Sequence, residues 1–246
     1  MINQPETINS KDTVWLDDGK TYKKNSDTPF TGIEESFHEN GQLMVRTNYK
    51  NGQQEGLYEW FHENGQLIER TNHKNGVSLY ELFNENDQLI ERTNYKNGKP
   101  VGLHETFYEN GQLKEKENYK NGEQDVLWER FHENGQLESR GKNKDGQKDG
   151  LWKWFHENGQ LSYKENYKDG KQDGLWEWFF ENGQLEFRGN YKNGKPEGLH
   201  ETFYENGQIE ERENYKDGEP DGLWEYFGED GNLDNTEEYK DGELVE

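Results

Sequence analysis

The stretch GLWEWFFENGQLEFRGNYKNGKPE (Gly174–Glu197) is followed at once by GLHETFYENGQIEERENYKDGEPD (Gly198–Asp221), and the two align residue for residue. Outward from this pair the same 24-residue unit recurs nine times, with the glycine of its ENGQ(L/I) element at Gly41, Gly65, Gly111, Gly135, Gly159, Gly183, Gly207 and Gly231. Asp87 takes the remaining slot, two residues early. A fixed period of roughly 20–50 residues marks a chain of stacked supersecondary units rather than one globular core. Function is then expected on a repeated surface, not in a single catalytic pocket.

Composition points the same way. Only 27% of the 246 residues are hydrophobic, against roughly half in an average domain. Disorder is opposed by 14% aromatics and by a Leu or Ile in every unit. The chain has no alanine, and Gly or Pro punctuates it throughout, which argues against helices. The reading is all-β. There is no cysteine, so disulfides and thiolate metal sites are excluded. The N-terminal sequence lacks a basic region followed by an apolar one, and no run reaches the ~18 apolar residues of a membrane span. The expected location is cytoplasmic.

Each unit holds two strand-like segments. Gly150-Leu151-Trp152-Lys153-Trp154-Phe155 ends at His156-Glu157-Asn158-Gly159, and Leu161–Tyr167 ends at Lys168-Asp169-Gly170. Asn-Gly and Asp-Gly tolerate the positive φ that tight hairpin turns need. Two registers are open. A two-residue turn at Asn64-Gly65 pairs Glu59 with Arg70 and, by the same rule, Glu35 with Arg46, Glu81 with Arg92 and Glu201 with Arg212; Lys153 opposite Lys164 breaks the ladder. A three-residue loop, Glu63-Asn64-Gly65, instead puts Leu57, Phe61, Leu67 and the Tyr/His73 position on one face. Exposed ion pairs contribute about 0.2–1 kcal/mol each, and a buried Leu or Phe about 1.5–3 kcal/mol. The second register is therefore expected, with the Leu/Phe/Leu/Tyr face buried.

Nine hairpins imply an elongated repeat protein, a single twisted antiparallel sheet of about 18 strands spanning ~85 Å. Residues 1–31 read as an N-terminal cap whose Thr13–Tyr22 segment is a degenerate tenth hairpin, and 32–246 as the tandem repeats. The block GKPVGLHETFYENGQ (Gly98–Gln112) returns as GKPEGLHETFYENGQ (Gly194–Gln208), so the array resembles a duplicated four-unit block. Between Gly65 and Asp87 the spacing drops to 22 and the Gly before Leu79 is lost; a local distortion of the sheet is expected there.

The unit G-L-W-x-x-F-x-x-N-G-x-L…Y-x-(N/D)-G-x-x-x-G resembles the MORN-repeat variant of bacterial proteins, and is especially like the YwqK-type family of antitoxins or immunity proteins. Residues 32–246 fit the pattern. The resemblance implies a twisted β-sheet and, for some members, neutralisation of a cognate toxin by direct binding.

The histidines do not suggest a metal centre. His38, His62, His132 and His156 follow the Phe of their units, and equivalent slots lie roughly 10 Å apart, too far to share an ion with ligands at ~2 Å. Glu is a repeat letter rather than part of one asymmetric constellation, and no nucleophile elbow or phosphate loop is present. No enzyme, cofactor or metal is expected. The aromatic residues Tyr58, Trp60, Trp128, Trp152, Trp154, Trp176, Trp178 and Trp224 are the candidate partner-binding set, since Trp and Tyr dominate interface hot spots; packing within a thin sheet is the competing reading. A net charge of −23 disfavours nucleic acid and anionic lipid and would steer a basic protein, such as a nuclease-type toxin. A toxin-neutralising binder is the leading expectation. A general interaction scaffold and a carbohydrate-binding aromatic array are the alternatives.

Overall fold

The computed structural model describes residues 5–120 and 123–245; the outer ends of the expected 1–31 and 32–246 segments lie outside them. The chain is all-β, a meander of tandem antiparallel hairpins, with a 3-10 turn at Ser10–Asp12. It forms two compact units. The first comprises residues 1–113 and 119–122, the second 114–118 and 123–246.

The first unit holds hairpins Gly32–Phe37/Leu43–Lys50, Gln53–Phe61/Leu67–Lys74 and Val77–Phe83/Leu89–Lys96, then strand Lys99–Phe107. Its edge strand Gly32–Phe37 is covered by Thr7–Asn9, which runs parallel to it. The Thr13–Trp15/Thr21–Lys23 hairpin does form, but as a separate two-stranded sheet. The cap on the edge is thus a single parallel strand, not a tenth hairpin. Phe30 is buried against Tyr49 and its N–H donates to Thr21 O, tying this segment to the first hairpin. The second unit holds Glu123–Phe131/Leu137–Lys144, Gln147–Phe155/Leu161–Lys168, Gly174–Phe179/Leu185–Lys192, Lys195–Phe203/Ile209–Lys216 and Gly222–Phe227/Leu233–Lys240.

Two turn types alternate. The linking turns, such as Lys50-Asn51-Gly52-Gln53, have both central residues left-handed, with the Asn or Asp at φ 48–54° from Asn51 to Asp241. Asn and Asp accept this conformation more readily than other non-glycine residues. In the hairpin turns His62 N–H donates to Gln66 O and Gly65 N–H to His62 O, enclosing the three-residue loop Glu63-Asn64-Gly65.

The register is a composite of the two expected ones. Phe61 faces Leu67, as the three-residue loop requires, but Trp60 faces Glu69, leaving Ile68 as a bulge. That extra residue returns the strand to the register of the charge ladder, with Glu59 opposite Arg70. In the first unit the ladder is continuous: Glu35–Arg46 (2.9 Å), Arg46–Glu59 (3.4 Å), Glu59–Arg70 (3.3 Å), Arg70–Glu81 (3.8 Å), Glu81–Arg92 (3.5 Å) and Arg92–Glu105 (3.5 Å). Phe packs on this same face. Arg70 and Arg212 lie over Phe83 and Phe227 at 5.6 and 5.5 Å, a cation–π contact in which the long side chain also shields the ring.

A second bulge separates successive hairpins. Arg46 faces Glu59 and Thr47 faces Tyr58, yet Tyr49 faces Gln54, so Glu55-Gly56-Leu57 bow out opposite Asn48. Gly56 there has φ +95°, and a Cβ would press on the Asn48 side chain at 3.4 Å. Equivalent Asn166 and Asn214 donate their Nδ2 to the bulged carbonyls of Leu175 (2.7 Å) and Leu223 (2.6 Å). The bulge corrects the expected burial pattern. Leu127, Leu151, Leu175, Leu199 and Leu223 are 39–44% exposed, because the bulge leaves them without a partner on the preceding hairpin. The buried indoles, Trp152 and Trp176, lie on the opposite face, which carries the Trp/Tyr/His slot, while the ladder face buries Glu59 and Glu201.

The shortened unit is also the reverse of a distortion. From Lys74↔Val77 to Glu69↔Leu82 its pairing with the preceding hairpin runs without a shift. Removing two residues and a glycine removes the bulge, and the ladder becomes regular.

Candidate functional site

Directly paired residues share a face, so the pairs Trp152↔Glu165, Trp154↔Tyr163 and Gly150↔Tyr167 define the face that carries the rings. In the second unit the rings adjoin from hairpin to hairpin. Trp128–Trp152 (5.5 Å), Trp152–Trp154 (5.7 Å) and Trp154–Tyr163 (4.6 Å, stacked) form one run. Tyr167, Trp176, Tyr191, His200, Tyr215, Trp224 and Tyr239 form another, with successive centroids 4.7–5.7 Å apart.

The eight candidate residues share this face but divide in role. Trp152 and Trp176 are only 4% and 6% exposed; their indole N–H groups donate to Lys142 O (2.9 Å) and Asn166 O (3.2 Å). They fold back over the interhairpin bulge and form its core. Trp128, with its N–H on a Glu115 oxygen, and Trp224, donating to Asn214 O at 3.2 Å, are half-buried in the same way. A uniformly semi-exposed ladder of these four is therefore not what the fold presents: Trp152, Trp176 and Trp224 donate to a backbone carbonyl on the strand opposite the bulge, with the first two buried, whereas Trp128 donates to the Glu115 carboxylate. His200 substitutes in the slot, with Nε2 2.9 Å from Asn190 O, and burial lowers its imidazole pKa. Trp60 and Trp178 remain open, at 41% and 38% exposure. Trp154 and Tyr58 are half-buried, and Tyr58 is paired between Thr47 and Thr71.

Trp154 already has a cation. The Lys148 ammonium sits 4.4 Å from its ring centroid and 4.8 Å from those of Trp152 and Tyr167. Burial lowers the Lys148 pKa, opposed by the neighbouring Glu165. Burial likewise raises the Glu165 carboxyl, opposed by the Tyr167 hydroxyl that donates to it at 2.7 Å and by Lys148.

Beside this cage lies a groove of about 590 Å³ whose walls include Tyr163, Trp178, Phe180, Glu181, Glu186 and Glu205. A second groove of about 500 Å³, one hairpin on, shares Phe180, Glu186 and Glu205 and adds Tyr204, Glu210 and Glu229. Among the described residues no Lys or Arg lines either. Glu186 and Glu210 occupy the bulge position of the hairpin, which is Met44, Ile68 and Ile90 in the first unit. That exchange of apolar for acidic residues was a legible signal for the acidic walls of the groove, which the Trp pattern, through Trp178, indicated only in part.

The histidines stitch adjacent turns. Nε2 of His38, His132 and His156 lies 2.9, 2.9 and 3.1 Å from the carbonyl of the Phe one unit on; Tyr204 donates the equivalent bond at 2.8 Å. Among the described residues no three acidic or imidazole side chains are grouped to hold a metal ion.

Comparisons with known proteins bear on the repeat. No curated protein matches the chain. Among solved structures it is similar to S. aureus TarM, at 14% identity over 38% of this chain and 19% of that one, with a TM-score of 0.30. It is also similar to the TcdB2–TccC3 protein, at 12% identity over 94% of this chain and 16% of that one, with a TM-score of 0.24. The chain thus spans less than a fifth of each of these two solved chains. The family model described as MORN repeat variant matches nine times, at residues 30–51, 54–75, 78–97, 100–121, 124–142, 148–169, 172–193, 196–217 and 220–241. Each match spans a hairpin and its turns, and together they show that the chain belongs to the MORN repeat variant family.

Proposed function

We propose that this chain is a non-enzymatic binding protein of the antitoxin or immunity type, which occludes a basic, nuclease-type toxin. Repeats of this family generally mediate protein or membrane interactions. The observation that carries the finer reading is the groove beside Trp178, where four carboxylates (Glu165, Glu181, Glu186 and Glu205) meet aromatic walls with no lining Lys or Arg. Carboxylates over rings select cationic side chains. A net charge of −23 would accelerate encounter with a basic protein and repel the nucleic acid it acts on. A general interaction scaffold is the second reading, supported by recurrence of the groove in the next hairpin. The carbohydrate reading has less support, because sugar stacking needs open ring faces and Trp152 and Trp176 are buried.

The test is protection. The chain is mixed with a basic nuclease toxin encoded beside it, and nuclease activity is followed at low and high salt. Stoichiometric inhibition that weakens with salt and with Glu186→Lys supports the reading. Undiminished nuclease activity at low salt overturns it.

A further inference from the structure

The two acidic grooves of the second unit repeat with the hairpin. His156, Ser162, Trp178, Phe180 and Glu181 of the first correspond to Phe180, Glu186, Thr202, Tyr204 and Glu205 of the second, and Phe180, Glu186 and Glu205 belong to both grooves. Equivalent positions in successive hairpins lie two strands apart, about 9.6 Å. A ligand that fills both must therefore present like groups about that far apart and on one side.

The chain contains its own example of what such a surface accepts. The Lys148 ammonium stands over Trp152, Trp154 and Tyr167. One unit on, Trp176, Trp178 and Tyr191 repeat the three rings, but the residue in the Lys148 position is Gln172. Among the described residues no cation lies over Trp178, which is also the more open of the two second-slot indoles in this unit. The array thus supplies a cation at one hairpin and leaves the next, with its carboxylates, to an outside one.

We infer that the paired grooves bind a basic segment of a protein partner in polyproline II conformation, with Arg or Lys at every third position, one side chain per groove. The backbone geometry selects this spacing. A polyproline II chain repeats every three residues at about 3.1 Å each, so positions i and i+3 point the same way about 9.3 Å apart. In a β-strand the third residue points to the opposite side, and same-side neighbours lie roughly 7 or 13 Å apart. Neither matches the hairpin repeat.

This inference rests on the acidic-groove reading above but is tested separately. Fluorescence anisotropy of three labelled peptides, with cores Arg-Pro-Arg, Arg-Pro-Pro-Arg and Arg-Pro-Pro-Pro-Arg, holds charge constant and varies only spacing. The Arg-Pro-Pro-Arg peptide is expected to bind the full chain at least tenfold more tightly than the other two. Glu186→Gln with Glu205→Gln should abolish that preference, whereas Glu39→Gln with Glu63→Gln, the same charge change in the first unit, should retain it. Equal binding of the three peptides, or equal loss in both double variants, overturns the inference in favour of diffuse electrostatics. If spacing has no effect while a basic nuclease is still inhibited, only the segment geometry fails; if spacing matters but no nuclease is inhibited, only the toxin reading fails.

Discussion

Gly141→Ala tests whether the Trp slot is the core of the second unit. Gly141 lies beneath the Trp152 ring. A Cβ built there would fall 2.0, 2.3 and 2.5 Å from Cδ2, Cε2 and Cγ, where carbon atoms normally rest at about 3.5–4.0 Å. The near end of the indole cannot swing aside, so the ring must lift by roughly 1.5 Å. Trp176 shows where it would go: it sits above Glu165, which has a Cβ, and its N–H···O bond is 3.2 Å against 2.9 Å for Trp152. Lifting the ring re-exposes about a quarter of its ~200 Å², a loss of about 1.2 kcal/mol at ~25 cal/mol per Å². Weakening the indole bond costs up to about 1 kcal/mol. Alanine returns about 0.4–1 kcal/mol by restricting the unfolded chain, leaving a net destabilisation of about 0.2–1.8 kcal/mol. Urea unfolding followed by far-UV circular dichroism would measure it, in wild type, Gly141→Ala, Trp152→Leu and the double variant, as a double-mutant cycle. Without the indole, alanine should be neutral or mildly stabilising. An equal cost in the Trp152→Leu background would refute the reasoning, as would stabilisation in the wild type.

Three further outcomes follow from the other face and from the buried acids. Lys153 faces Arg140 on one side and Lys164 on the other; Lys153→Glu should complete the ladder, stabilise by about 0.5–1.5 kcal/mol and lose that gain in 1 M salt, so a Tm that does not rise at low salt counts against the ladder. Glu59→Gln removes the charge between Arg46 and Arg70, which lie at 3.4 and 3.3 Å; a loss of about 1–2 kcal/mol is expected, below the value for a fully buried pair because both arginines are partly solvated, and chemical denaturation measures it. Burial raises the carboxyls of Glu165, Glu211 and Glu213, so the folded state holds their protons more tightly than the unfolded one. Their contribution to stability is complete below the unfolded value of about 4.3 and is lost as pH rises through the folded values. His200 is lowered by burial and acts oppositely, contributing above about 6.5 and losing that as pH falls through its folded value. The stability of a Glu165→Gln, Glu211→Gln, Glu213→Gln variant relative to wild type should therefore be greatest near pH 8 and shrink toward pH 4.5, as read from urea midpoints; a constant difference would show that burial does not perturb these acids.

Much of the fold was legible because its signals are local. The pair Asn51-Gly52 specifies a left-handed two-residue turn whatever surrounds it, and so does Asp169-Gly170. Glu59 and Arg70 were readable as partners from their distance to the turn. The choice between ladder and three-residue loop was not a real one, since Ile68 absorbs the difference. A bulge leaves no letter of its own in a single strand; it exists only in the count of residues on the strand opposite. The same reason hid the regularity of the shortened unit, where two missing residues remove a bulge instead of breaking a strand.

The candidate site was legible only in part. Trp60 and Trp178 are open as the aromatic pattern suggested, while Trp152 and Trp176, identical letters in the neighbouring slot, are buried. Glu186 and Glu205 enter the groove from different hairpins, a juxtaposition set by how two repeats stack. By itself the sequence determined the period, the turns, the all-β class and the acidic charge, because each depends on residues near one another along the chain. Tertiary structure alone decided which face is buried, which indoles stay open and where carboxylates converge, because burial and convergence depend on atoms brought from the next hairpin.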